Sequence, residues 1–247
     1  MWGFAPVLSR LGRDLGFTQA VMGGCIILYI LTLVADPGGL RMGGFLNFLS
    51  PSTESLFMFG ASGAIPVFQY NRWWTILSAG WLHGGLLHIF FNMMWVRQLA
   101  PATAELYGAS RMVIIYTVGG VVGFLASTVS FFLPGFLGSG GLTVGASAPI
   151  FGLLGALVYY GRRTGSSAVG EQAKSWAFML FIFGFIMQGV DNWAHLGGFV
   201  GGYLASRILD PLHPERLDHL VIAFACLGLT LLSIGVSIVD GLRVFSR

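Results

Sequence analysis

Gly145-Ala146-Ser147-Ala148-Pro149-Ile150-Phe151-Gly152 delivers a serine from a small-residue turn to the start of an apolar helix. Upstream, Pro134 to Gly145 holds five glycines and no charge, so it does not form regular helix. Downstream, Ile150 to Tyr160 is apolar throughout and stops at Gly161-Arg162-Arg163. Ser147 therefore stands where unpaired backbone N–H groups and the positive end of a helix dipole stabilise an anion. A serine so placed needs only a base to become an acyl-transfer nucleophile. The competing reading is a plain helix cap, with Gly145 serving close packing.

Composition sets the environment of that helix. Hydrophobic residues make up 55% of the chain and charged residues 9%, with a mean hydropathy of +0.78. A water-exposed surface needs far more charge, so the chain reads as one that crosses a bilayer repeatedly. A formal net charge of +3 is too small to imply a nucleic-acid partner. Cys25 and Cys226 lie in apolar runs near opposite ends and form neither a disulfide framework nor a metal spacing.

Working outward, the expected class is all-α, a polytopic membrane helix bundle of six spans plus one C-terminal span. After a tail (residues 1–16), the spans cover about Thr18 to Ala35, Ala79 to Val96, Met112 to Leu133, Ser147 to Tyr160, Trp176 to Ile186, Trp193 to Ile208 and Leu220 to Val239. The six-span core occupies residues 17–210; residues 211–247 hold a linker, the seventh span and a short outer tail. Asp36 to Ser78 is too apolar for disorder and too broken for a span, so it reads as a structured loop in the interface. Within it, Gly60-Ala61-Ser62-Gly63 offers a second serine motif, but Ala64-Ile65-Pro66 prevents a long helix there, and Ser62 is rejected.

With the N-terminus inside, nine of the 13 Lys and Arg fall on inner segments, Arg10 and Arg13 among them. The positive-inside rule then places the N-terminus in the cytoplasm. The second, fourth and sixth spans run inward and carry His88 with Asn92, Ser147, and His195 in their first turns. Three separate segments thus bring polar side chains to one depth near the outer face. The fourth span, some 14 residues long, falls short of the roughly 20 needed to cross, so its glycine-rich approach must dip into the protein.

His195 lies in Ala194-His195-Leu196-Gly197-Gly198, and an ionisable residue inside a span is functional by default. Gly198 and Gly202 share one face at the small-xxx-small spacing that lets helices approach closely. If the partner is the fourth span, with Gly152 and Gly155, Ser147 and His195 meet. The alternative is a histidine bonded to a backbone carbonyl. His88 and Asn92, at i and i+4, share a face and offer the donors an oxyanion hole requires. Zinc is the rival reading, but asparagine is a poor ligand and no Cys or acidic cluster accompanies it, so no metal is expected. His83 is expected to point elsewhere on that helix and to stabilise the entry loop; His213 and His219 are expected to be solvated.

Together these motifs resemble the rhomboid intramembrane serine proteases over about residues 17 to 210. The likeness rests on Trp81-Leu82-His83 with His88 and Asn92, on Gly145-x-Ser147, and on Ala194-His195-x-x-Gly198-x-x-x-Gly202. The resemblance implies Ser147 as nucleophile, His195 as general base and acid, His88 and Asn92 as oxyanion donors, and Phe151 packed on the imidazole. Gly145, Gly198 and Gly202 support that arrangement. It further implies no cofactor, a lipid bilayer as surroundings, and single-span or polytopic membrane proteins as substrates, cut near their outer ends. A bacterial plasma membrane is the expected location. The chain departs from the family pattern at Ala148-Pro149, where Gly usually follows the nucleophile. It departs again at Trp74-Thr75, with Arg72 on the other side of Trp73 in place of the usual Trp-Arg pair, a change that bears on the loop's usual anchoring and not on the chemistry. A non-catalytic client-binding relative would lack Ser147 or His195, and both are present. A transporter would pair ionisable groups at the midplane.

Overall fold

The computed structural model describes residues 14–43, 48–134, 138, 141–187 and 189–245. Arg10, Arg13 and Arg247, which enter the charge balance, lie outside them. The described residues contain seven helices of 17 residues or more: α1 (Phe17–Ala35), α2 (Leu86–Tyr107), α3 (Ala109–Ser130), α4 (Ser147–Thr164), α5 (Ser167–Ile186), α6 (Asn192–Ile208) and α7 (Leu217–Phe245). Pairing of extended backbone among them is limited to the isolated bridges Arg41↔Ser50 and Ser62↔Thr143. α1, α3 and α7 are long and apolar enough to cross a bilayer unaided, with mean hydropathies of 2.0, 2.0 and 2.4 over 18 residues. The protein is an integral membrane helix bundle.

Several boundaries differ from the expected spans. The second helix begins at Leu86 rather than Ala79, because Ala79–Trp81 forms a single 3-10 turn and Gly85 enters α2 in extended backbone (φ 172°). α4 ends at Thr164 rather than Tyr160. Arg162 and Arg163 in its last turn suit the negative end of the helix dipole, and Gly165, at φ 76°, stops the helix in left-handed backbone. α5 starts nine residues early, at Ser167, through a polar first stretch that includes Glu171 and Lys174. α7 runs for 29 residues.

Lipid tails are as apolar as leucine, so helices in a bilayer associate through close van der Waals fit rather than water exclusion. Glycine supplies that fit here. A Cβ on Gly202 would fall 2.0 Å from the Gly152 carbonyl oxygen, and one on Gly155 would fall 2.2 Å from that of Phe199. Gly119 of α3 meets Gly152 backbone to backbone, its added Cβ 2.8 Å from the Gly152 Cα. α4 is thus held between α3 and α6, and Met112, Ile115, Ile150, Leu153 and Leu154 are buried around it. Tyr107 at the end of α2 donates its hydroxyl to the Ala156 carbonyl at 2.8 Å.

α7 is largely exposed along its apolar length but moored at both ends. At the end away from Ser147, the buried Arg111 donates to the carbonyls of Leu209 (3.0 Å), Asp210 (2.9 Å) and His213 (2.8 Å), and Glu215 accepts its backbone N–H. The Asp210 carboxyl is held below its usual range by the Leu212 backbone N–H and by Arg163. His213 is exposed as expected, whereas His219 is half-buried and accepts the Arg216 backbone N–H at 3.2 Å.

Candidate active site

Ser147 is the first residue of α4, after Ala146 in helical backbone and Gly145 at φ +130°. No L side chain adopts that φ readily, and none would fit. A Cβ on Gly145 would sit 2.6 Å from His88 Nε2 and 3.7 Å from Ser147 Oγ. Gly145 is therefore the spacer across which the His88 ring faces the serine. Its N–H donates to the Ala79 carbonyl at 3.0 Å, while Thr143 and Ser62 exchange both backbone hydrogen bonds (2.7 and 3.1 Å). The approach to Ser147 is stitched to the loop that the second serine motif occupies.

That motif is structural. Ser62 is fully buried, and its hydroxyl pairs with Thr75 Oγ1 at 3.3 Å.

His195 stands in the first turn of α6, buried, with its ring stacked on Phe151 at 4.3 Å between centroids and 16° between planes. Phe151 is one turn after Ser147. Gly198, three residues after His195, lies against Ala148, where an added Cβ would come 2.2 Å from the Ala148 carbonyl oxygen. These contacts bracket Ser147 and His195 from both sides and bring the two first turns together. The buried Nδ1 of His195 has no hydrogen-bond partner among the described residues.

The nearest carboxylate in sequence is engaged elsewhere. Asp191 Oδ1 caps α6 by accepting the Ala194 N–H at 3.0 Å, and Oδ2 accepts the Ser127 hydroxyl.

His88 Nδ1 accepts the Gly84 N–H at 3.3 Å, which leaves Nε2 to carry the ring proton on the side facing Gly145 and Ser147. Asn92 is buried and spends one amide N–H on the His88 carbonyl at 2.9 Å, which holds the pair on one helix face. His83 departs from expectation. It precedes the helix rather than riding on it, is fully buried, and sets its ring edge-on to His88 at 5.2 Å. Only the sequence proximity of the two histidines hints at this contact, since Gly84-Gly85 breaks the helical spacing between them.

Ser147, His195 and His88 thus stand in the first turns of α4, α6 and α2, around the close glycine contacts of Gly145 and Gly198. Residues 70–211, more than half of the chain, match the family model described as the Rhomboid domain. The chain belongs to the rhomboid family. Among the rhomboids it is 33% identical over 167 residues to Rhomboid protease GluP of Bacillus subtilis (strain 168), covering 66% of this chain and 31% of that protein. It is 31% identical over 172 residues to RHOMBOID-like protein 7 of Arabidopsis thaliana, covering 68% and 52%. Putative rhomboid protease YdcA of Bacillus subtilis is 30% identical over 140 residues, covering 55% of this chain and 67% of that protein. This rhomboid therefore spans about a third of the first relative and about half of the second.

Proposed function

We propose that this rhomboid is an intramembrane serine endopeptidase that works with a Ser147–His195 dyad through an acyl-enzyme. The observation that carries the reading is the Phe151–His195 stack one turn after Ser147, which supports an imidazole held by ring packing rather than by a carboxylate. The names of its relatives, Rhomboid protease GluP and Putative rhomboid protease YdcA, agree with it.

In this reading Ser147 Oγ attacks a peptide carbonyl while His195 takes its proton. The oxyanion forms beside Gly145, where His88 Nε2–H and the remaining N–H of Asn92 donate to it. His195 returns the proton to the leaving amine, and the Ser147 ester remains. Water, deprotonated by the same imidazole, releases the acid and restores the serine. The substrates are membrane proteins cut near the outer end of a span, where helix-breaking or small residues free the carbonyl from its helical hydrogen bond. The N-terminus is cytoplasmic and the site opens outward, as the basic residues on the inner segments favour.

The test is incubation of the purified protein and its Ser147→Ala form with a panel of single-span substrates. Cleavage by the first and none by the second is expected. Normal turnover by Ser147→Ala would sink the assignment.

A further inference from the structure

The loop over the site is gripped by the seventh helix. Arg72, fully buried, donates from Nη1 to the Phe57 carbonyl (2.5 Å) and from Nη2 to the Ser237 carbonyl of α7 (2.7 Å). Its Nε forms an ion pair with Asp240 of α7 at 3.1 Å, and its guanidinium lies over the Phe57 ring at 4.3 Å. Next to it, Trp74 donates its indole N–H to Ser237 Oγ (3.0 Å) and accepts the Ser233 hydroxyl on its carbonyl (2.6 Å). The displaced arginine therefore does anchor the loop, and it anchors it to α7.

From that grip a set of hydrogen bonds reaches the segment that leads into the serine. Arg72's carbonyl accepts from Thr75 Oγ1 at 2.7 Å, and Thr75 Oγ1 pairs with Ser62 Oγ. Ser62 is bridged to Thr143, and Ile65 N–H donates to the Gly141 carbonyl at 2.9 Å, so the loop holds the first half of the 141–145 segment. That segment ends at Gly145, against His88 and two residues before Ser147.

We propose that Arg72 is a positioning residue for the Ser147 turn, and that α7, through Asp240 and Ser237, is the outer support that sets it. The inference rests on the dyad reading for its kinetic consequence, although the mechanical coupling from α7 to residues 141–145 stands apart from it. Removing the Asp240 charge while keeping its shape loosens the guanidinium, and the slack passes through Thr75 and Ser62 to the turn. A misplacement of under an ångström at the nucleophile slows attack on any electrophile.

A fluorophosphonate probe separates positioning from mere stability, since it bonds Ser147 Oγ to phosphorus with loss of fluoride. The amplitude of labelling counts folded molecules, whereas its rate constant reports how each one presents its serine. In the full-length protein, Asp240→Asn and Arg72→Lys are expected to lower the rate constant about tenfold with amplitude retained. Hydrogen exchange at the Thr143 and Gly145 amides should quicken in both. Glu215→Gln, which loosens the opposite end of α7, should leave both readouts at wild-type values. Wild-type rate constants and exchange in Asp240→Asn and Arg72→Lys would overturn the proposal, as would a loss of amplitude alone. If neither variant folds, Ser237→Ala, which removes only the Trp74 hydrogen bond, decides by the same two readouts. A wild-type protein that never labels would refute the dyad reading, and unchanged exchange at Thr143 and Gly145 would still refute the coupling.

Discussion

Asp191 stands four residues before His195, a spacing that invites a triad. In a triad the carboxylate holds the far N–H of the imidazole, and replacing it by an amide costs about 10⁴-fold. Here one oxygen caps α6 through the Ala194 N–H and the other takes the Ser127 hydroxyl. His195 Nδ1 is left without a partner among the described residues, and Phe151 holds the ring by its face instead. Asparagine keeps both Asp191 contacts, with Oδ1 accepting from Ala194 and Nδ2 donating to Ser127. Asp191→Asn is therefore expected to cleave within about tenfold of wild type, at most ~1.4 kcal/mol of barrier. Cleavage rates at matched active-site concentrations check it, and a thousandfold loss with the fold intact would make this a triad enzyme.

Among the elements, α4 and α6 meet through glycines whose role is legible from their spacing alone. Gly198 and Gly202 mark a close-packing face, and Gly152 and Gly155 the complementary one, because helical period maps sequence directly onto a surface. The sequence also sets Ser147 and His195 at the starts of their helices, whereas His88 comes into a first turn only because its helix begins at Leu86 rather than Ala79. What periodicity does not convey lies in irregular backbone. The grip of Arg72 on Ser237 and Asp240 joins residues over 160 positions apart, and the His83–His88 contact runs across a Gly-Gly break. Helix ends overrun their expected limits where hydropathy stops before the helix does, as at Arg162 and Arg163. The glycine argument is testable by contrast. Gly202→Ala drives a methyl into the Gly152 carbonyl and should destabilise the protein by at least about 1–3 kcal/mol. Gly228→Ala in α7 meets nothing within 4 Å and, with alanine the better helix former, should be neutral or stabilising by up to about 1 kcal/mol. Thermal unfolding in detergent compares the two, and equal stability of both variants would contradict the close α4–α6 approach.

At the scale of the whole molecule, the site and the linker before α7 lie at opposite ends of the bundle. Ser147, His88 and His195 open α4, α2 and α6, whereas Arg162, Arg163, Asp210 and Arg216 gather where α4 and α6 close and α7 begins. Basic residues are retained on the cytoplasmic side of membrane proteins, so that second end should face inward and the Ser147 end outward. Gln69 lies exposed on the loop at the Ser147 end, and Arg216 lies exposed on the linker before α7. Cys25 is buried within α1 and Cys226 is half-buried within α7, so both are poorly placed to react with a polar reagent. In intact bacterial cells producing the protein, Gln69→Cys should be labelled by a membrane-impermeant maleimide without treatment. Arg216→Cys should be labelled only after the cells are permeabilised. The reverse pattern would turn the protein over, place its N-terminus outside, and require substrates to be cut at their cytoplasmic ends.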